Sequence, residues 1–299
     1  MTTTSLPSAR RPEQHRPGDD WPRERRARRL VSRFLVYLLL LVVAVGCLIP
    51  FYGMLVDATH SSLFIASKFT LVPGGDLASN YHRLMSFINI WQGFAHSVIV
   101  AVLTTALTLY FSALGGYAFS RHRFRGQNIL FGVVVASMMV PGELEIVGMF
   151  KLTMSLHLLN TYWPLILPAM ANAFGIFFMK QMCDTLIPVE ILAAARVDGA
   201  RELTIFHRIV LPMLGPGVAT LGVFVFISAW NSFLLPLILI FDDSKQTLPV
   251  MVELTQGQFN TDYGAQYVGV MISIVPILAV FAVASKKIIS GVSFGGLKG

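Results

Sequence analysis

Long stretches without lysine, arginine or aspartate recur along this 299-residue chain and constrain its fold more than any other feature. Each exceeds the ~20 residues that an α-helix needs to cross a bilayer. Because an isolated span in lipid satisfies its backbone hydrogen bonds as a helix, we predict an all-α polytopic membrane protein with six transmembrane helices. The predicted spans are residues 34–56, 97–120, 128–150, 158–179, 217–241 and 263–285.

The two ends of the chain differ in composition from the apolar middle. Residues 1–30 combine four prolines with eight arginines and lack apolar periodicity, which is typical of a disordered tail. We therefore predict a disordered tail over residues 1–30, a transmembrane domain over residues 31–290 and a short C-terminal tail over residues 291–299. Only 13% of the residues are charged, about half the share of a soluble domain.

The positions of the basic residues predict the orientation in the membrane. Nineteen of the 23 lysines and arginines fall in the tail before span one, the loops after spans two and four, and the C-terminal end. Only Lys68, Arg83, Lys151 and Lys245 fall on the other side. The asymmetry places both termini in the cytoplasm. The formal net charge of +7 is therefore read as a topology signal and not as a nucleic-acid surface.

Sequence motifs of nucleotide-binding sites and of zinc hydrolases are absent. The chain has no G-x-x-x-x-G-K-[ST], H-E-x-x-H or G-x-G-x-x-G pattern. Its seven histidines and two cysteines lack the spacing of metal ligands. We predict no catalytic residues, no metal and no cofactor of its own.

Two acidic residues inside the third apolar stretch are candidates for a polar translocation path. Glu143 and Glu145 follow Pro141 and Gly142 and are the only acidic residues within any of the six spans. Intramembrane carboxylates commonly mark transport routes. The alternative interpretation is a kinked helix end that carries hydrated acids.

The loop between spans four and five predicts a helix, a turn and a second helix on the cytoplasmic side. Pro188 suits a first helical turn, and Glu190 adds negative charge near that N-terminus. Gly199 permits the positive φ that ends the first helix. The second helix is predicted to place one apolar face against its surroundings, made of Leu203, Phe206, Ile209 and Val210.

This loop resembles the signature of permease subunits of ATP-binding-cassette (ABC) importers: E-A-A, three residues, Gly, nine residues, then I-x-L-P. Six residues fall in register without a gap, namely Ala194, Ala195, Gly199, Ile209, Leu211 and Pro212. Phe206 and the stretch Asp198-Gly199-Ala200 resemble the carbohydrate branch. One departure is that Ala193 stands where the signature has Glu. Glu190 belongs to the flanking P-x-E pattern.

Further segments resemble the maltose-type second permease subunit in the same order. They are Asn80-Tyr81, the stretch from Leu158 to Tyr162, Ala229 to Phe233, Thr247-Leu248-Pro249 and the glycine-rich end from Gly291. The resemblance implies a sugar permease that contacts its ATPase through the loop at residues 188–212. The implied contact residues are Glu190, Ala193, Ala194, Ala195, Asp198, Gly199, Ala200, Phe206, Ile209, Leu211 and Pro212.

The resemblance also implies an assembly in a bacterial cell membrane. Its expected members are a second similar permease, two ATPase subunits that bind ATP and magnesium, and an external sugar-binding protein. The outer loop from Asp242 to Tyr263 would face the binding protein. The tail from Gly291 would lie against the ATPases.

Two residues of span five are further candidates for the sugar path. Trp230 offers an aromatic face and Asn231 an amide, the groups that sugar sites use, although helix packing explains them equally well.

The competing functions are a secondary transporter or channel and a membrane enzyme. A gradient-driven transporter would be expected to show charged or unwound mid-span sites and inverted repeats, which are not evident.

Overall fold

A computed structural model describes the backbone of residues 23–255 and 261–295. Side chains are described for residues 30–142, 144–255 and 261–283. Within these ranges every regular element is a helix, which confirms the predicted all-α class. Most of the two predicted tails, residues 1–22 and 296–299, lies outside the described residues.

The chain divides between Gly53 and Met54 into two units. The described part of the first unit is residues 23–53, which belong to helix α1, Arg23–Asp57. The helix begins at Arg23, so residues 23–30 are helical where a disordered tail was predicted. Arginine has a high helix propensity, which lets the helix extend beyond its apolar segment Leu30–Asp57.

Helix α4 is the centre of the second unit, where it packs against α8 and α12, and α12 packs against α15. The short helices α2 and α3 pack against α15. The helices of this unit are α2 Ser62–Ser67, α3 Leu77–Phe87, α4 Ile90–Arg121, α5 Gln127–Ser137, α6 Ile146–Ser155, α7 Trp163–Ile166, α8 Ala173–Leu186, α9 Val189–Val197, α10 Glu202–Ile205, α11 Leu211–Met213, α12 Gly215–Trp230, α13 Leu234–Leu239, α14 Leu248–Leu254 and α15 Tyr263–Gly295.

A stripe of small and hydroxyl-bearing residues brings α4 close to α8. Thr104, Thr108, Ser112 and Gly116 recur every four residues and are all buried. A Cβ on Gly116 would lie 2.6 Å from the backbone of Met179 and Lys180. Small residues allow helices to approach closely in a membrane, where packing rather than the hydrophobic effect holds them together.

Among the residues that the structure describes, four helical stretches are long and apolar enough to cross a membrane: Leu30–Asp57, Ile90–Arg121, Trp163–Leu186 and Tyr263–Val283. A fifth is obtained if Glu202–Met213 and Gly215–Trp230, which meet at 77°, form one bent span. These stretches correspond to five of the six predicted spans. The count of six stays a prediction.

The third predicted span, residues 128–150, is not a single helix. It consists of α5 and α6, separated by a turn at residues 138–141 and a 3₁₀ segment Gly142–Glu145. Pro141 accounts for the break, because proline cannot donate a backbone hydrogen bond and disfavours helix in the residue before it. Eleven residues, the length of α5, span only about 17 Å of a hydrocarbon core about 30 Å thick.

The fifth and sixth predicted spans also have different ends from those expected. Helix α12 stops at Trp230 and is followed by the short helix α13, so residues 217–241 contain a break. Helix α15 continues to Gly295, past the predicted boundary at residue 290. The predicted tail at residues 291–299 is therefore helical as far as the structure describes it.

Candidate functional site

The loop at residues 188–212 forms the predicted helical hairpin. Its first arm is α9, and its second arm begins as α10 and continues through a π-helical turn, Phe206–Val210, into α11. The second arm meets α12 at 77°. The chain therefore leaves the hairpin at a steep angle to the helix that follows.

Gly199 closes the turn between the two arms with a φ of +79°. The N–H of Gly199 donates to the carbonyl of Arg196, and the N–H of Ala200 donates to that of Ala195, both at 3.0 Å. These two bonds are the Schellman motif, which requires a left-handed residue after the last helical turn. The structure thus confirms the positive φ predicted for Gly199.

The inner face of the hairpin packs onto α4, α8 and the start of α12. Leu192 of the first arm and Ile205, Phe206 and Val210 of the second are fully or almost fully buried in one apolar cluster with α4 and α8. The Phe206 ring lies 6.0 Å from that of Tyr117 on α4. Ala195, Ala200, Ile209 and Leu211 pack partly buried against the same cluster.

Leu203 does not share the buried face that the sequence pattern predicted. It is 62% exposed, whereas Ile205 is buried. The buried side of this part of the helix is formed by Ile205 and Phe206 instead.

The outer face of the hairpin is exposed and largely apolar. Val197 is 88% exposed and Val189 55% exposed, while Glu190, Ala193 and Ala194 are exposed beside them. Asp198, Gly199 and Pro212 are exposed as well. The signature residues are thereby divided between the two faces.

A carboxylate ties the two arms of the hairpin to α4. Glu202 Oε1 accepts a 2.7 Å hydrogen bond from Arg196 Nε on the first arm. Its Oε2 accepts from the hydroxyl of Tyr117 at 2.9 Å and lies 3.2 Å from His122 Nε2. Tyr117 is in α4 and His122 caps its C-terminal end. Sequence reasoning missed this cluster, because no local pattern pairs residues 85 positions apart.

A cavity of about 420 Å³ lies between α4, the segment containing α7 and α8, and α12. Its polar lining consists of Thr104, Thr108, Asn172, Ser228 and Ser232, and Phe174 and Phe224 add aromatic rings. None of the described residues that line it is charged. Hydroxyls, an amide and aromatic rings are the groups that bind uncharged sugars.

Trp230 and Asn231, two of the candidates named for the sugar path, lie outside this lining. Trp230 is 1% exposed and packs against Phe94 and Phe226, and its Nε1 donates to the carbonyl of Ser273 at 3.0 Å. Asn231 is exposed at the C-cap of α12, next to Ser232.

Glu145 is exposed at the end of the 3₁₀ segment between α5 and α6. The side chain of Glu143 lies outside the described residues. Among the side chains that are described, no three of the types His, Cys, Asp and Glu form a group suited to a metal ion.

Residues 25–286 match the family described as the binding-protein-dependent transport system inner membrane component. The chain belongs to this family. It is a multi-pass membrane permease subunit of an ABC importer and has no catalytic role of its own. The alternative of a secondary transporter or channel is not favoured.

Curated relatives match the chain over most of both lengths. The arabinooligosaccharides transport system permease protein AraQ of Bacillus subtilis (strain 168) is 32% identical and covers 90% of this chain and 97% of its own. The lactose transport system permease protein LacG of Rhizobium radiobacter is 31% identical, covering 88% and 96%. The diacetylchitobiose uptake system permease protein NgcG of Streptomyces coelicolor is 33% identical, covering 86% of both.

A solved structure shares the fold. It is a chain of a bacterial ABC transporter involved in the import of the acidic polysaccharide alginate, with a TM-score of 0.75 and 22% identity over 90% of this chain and 99% of that chain. The permease fold is therefore present here.

Proposed function

We propose that this chain is a permease subunit of an ATP-driven sugar importer in a bacterial plasma membrane, with both termini in the cytoplasm. It forms half of the translocation path beside a second, similar permease. Two ATPase subunits that bind ATP and magnesium, and an extracytoplasmic sugar-binding protein, complete the assembly. The names of the relatives, which specify arabino-oligosaccharides, lactose and diacetylchitobiose, support a sugar as the cargo.

The observation that carries this proposal is the two-sided hairpin at residues 188–212. Its inner face is buried against α4 and α8, while its outer face exposes Val189, Ala193 and Val197. An exposed apolar helix face suits a groove on a partner protein. We propose that the ATPase receives this face and that its closure moves the hairpin.

The uncharged cavity beside α4 and α12 is our proposed part of the sugar path within this chain. Its hydroxyl groups and Asn172 can bind sugar hydroxyls, and its lack of charge favours a neutral sugar over an acidic one. Asn231, beside Ser232, and the acids Glu143 and Glu145 stay candidates for contacts elsewhere along the path.

The opposite end of α4 is our proposed side for the sugar-binding protein. There the loop Asp243–Lys245 is held by hydrogen bonds from Gln92 Nε2 to the carbonyl of Ser244 at 2.8 Å and from the Tyr162 hydroxyl to that of Lys245 at 3.0 Å. A loop held to two other segments presents a defined surface.

Reconstitution of the chain with its ATPase, second permease and binding protein in proteoliposomes tests the proposal. We expect sugar uptake that requires ATP, and ATP hydrolysis that sugar and binding protein stimulate. Uptake that follows an ion gradient without ATP would refute it.

The cavity is tested in the same system with Ser228→Asp, which adds a charge to the lining. An intramembrane charge costs about 3 kcal/mol, so we expect uptake of a neutral sugar to fall. Phe233→Asp is the matched control, because Phe233 is exposed in the segment after α12 and does not line the cavity. Equal uptake in both variants would remove this cavity from the path.

A further inference from the structure

The carboxylate of Glu202 makes all of its side-chain bonds away from its own helix. It lies in the first turn of α10, where a negative charge would normally be explained by the helix dipole alone. Its partners are instead Arg196 on the opposite arm and Tyr117 and His122 on α4. An ionised carboxylate only accepts hydrogen bonds, so His122 Nε2 is the donor in its contact.

The C-terminal end of α4 is also fixed to α8. Arg121 Nη2 donates to the carbonyls of Cys183 at 2.8 Å and Ile187 at 2.6 Å, which are among the last carbonyls before the hairpin. The end of α4 therefore holds the hairpin at two places, at its root through Arg121 and at its second arm through Glu202.

Helix α4 connects this point directly to the cavity. It is continuous from Ile90 to Arg121, and Thr104 and Thr108 on it line the cavity. Tyr117 and Thr104 are 13 residues apart, which is about 20 Å along one helix. A helix of this length transmits a displacement at one end to the other end.

We propose that Glu202 is the positioning residue that links the hairpin to α4, so that movement of the hairpin displaces the cavity wall. This inference rests on the proposed function as an ATP-driven importer. Apolar packing of Phe206 holds the hairpin in place, whereas the directional hydrogen bonds of Glu202 determine the direction in which α4 moves when the hairpin moves. Loss of the link leaves a docked hairpin that moves without α4.

The charge of Glu202 is maintained across the physiological range. The hydrogen bond from Arg196, together with that from Tyr117 and the positive charge of Arg196, lowers the pKa of Glu202 to about 2 against the opposing effect of burial. The carboxylate is therefore ionised whenever the transporter works, and the link is permanent instead of pH-gated.

Two conservative variants test the link. Glu202→Gln removes the charge at constant shape, and Tyr117→Phe removes only the hydroxyl group. Thr105→Val is the matched control, because Thr105 is also on α4 but its hydroxyl donates to the carbonyl of Ala101 in the same helix at 2.6 Å. The readout is the number of sugar molecules transported per ATP hydrolysed, measured in the reconstituted complex after assembly has been verified.

We expect this ratio to fall at least about fivefold in Glu202→Gln and Tyr117→Phe, a typical coupling effect, and to stay at the native value in Thr105→Val. The double variant should be no worse than the worse single variant, because both changes break the same bond. Native ratios in both single variants would overturn the proposal. So would full additivity in the double variant.

A distance measurement separates a link from a merely structural role. Spin labels at Thr204 on the second arm of the hairpin and at Arg123 beyond α4 are both on exposed residues. In the native complex their separation should be the same with and without ATP, and in Glu202→Ala it should change on ATP binding. An ATP-dependent separation in the native complex would overturn the proposal. If the importer function itself were wrong, the native complex would show no ATP-driven uptake at all.

Discussion

Replacement of Gly199 by valine should uncouple ATP hydrolysis from transport. Gly199 has a φ of +79°, and an added Cβ would have no atom within 4 Å in this chain. The cost of a side chain is therefore conformational and not steric. A β-branched residue in the left-handed region is strongly disfavoured, so the turn is expected to open and change the angle between the two arms.

The magnitude follows from the left-handed backbone. An L-residue in this region costs about 1–2 kcal/mol, which reduces the population of the native turn by about 5- to 30-fold relative to alternatives. Asparagine tolerates this region better than other L-residues. Gly199→Asn should therefore retain most of the native coupling and Gly199→Val should lose it.

The assay is the stimulation of ATP hydrolysis by sugar and binding protein in the reconstituted complex. Gly126→Val is the matched control, since Gly126 has a φ of +82° and equally open surroundings but lies outside the hairpin. We expect loss of stimulation in Gly199→Val, and its retention in Gly199→Asn and Gly126→Val. Normal stimulation in Gly199→Val would show that the left-handed turn at residue 199 is not needed for coupling. An equal loss in Gly199→Asn would show that side-chain volume at the partner interface, and not backbone strain, is decisive.

Three further predictions address topology, packing and the missing signature residue. In a background without the two native cysteines, an impermeant reagent added outside should label a cysteine at Lys245 and not at Arg123; the reverse pattern would invert the orientation. Gly116→Ala should lower the yield of assembled complex far more than Gly115→Ala. The Cβ added at Gly116 would lie 2.6 Å from the α8 backbone, whereas the Cβ added at Gly115 would lie 3.3 Å from the Ile176 side chain. Equal yields of the two variants would contradict the close approach of α4 and α8. Ala193 is exposed, so Ala193→Glu should leave the thermal stability of the isolated chain unchanged. Stronger ATPase binding by this variant would then indicate that the partner holds a matching cation, and unchanged or weaker binding that it does not.

Features that depend on neighbouring residues could be predicted from the sequence. The apolar stretches indicated membrane helices, and three of them are the long helices α1, α4 and α15, while the stretch Trp163–Leu186 consists of α7, a 3₁₀ segment and α8. The Asp198-Gly199 pair located the turn of the hairpin, because a left-handed glycine after a helix is a local backbone requirement. A kinked helix end after Pro141 was only an alternative interpretation of the third stretch, and the structure shows a full break at that position.

Features that depend on distant residues were decided only by tertiary structure. Trp230, named as a candidate for sugar contact, is buried against Phe94 and Phe226 because α12 packs with that side against α4 and α15. The opposite side of α12 lines the cavity through Ser228. An evenly apolar helix does not reveal in its own sequence which side will face a neighbour and which a cavity.

The same distinction explains Leu203 and Glu202. The helical repeat assigned Leu203 to the buried face, but Ile205 and Phe206 pack into the cluster with α4 and α8 and Leu203 is left exposed. Glu202 was not recognised because its partners Tyr117 and His122 come together with it only when α4 and the hairpin pack. Most helical segments and the turn at Gly199 could be predicted from neighbouring residues, since these follow from short-range sterics and hydrophobicity. Tertiary structure decided which side chains meet, since that depends on how separate helices approach one another.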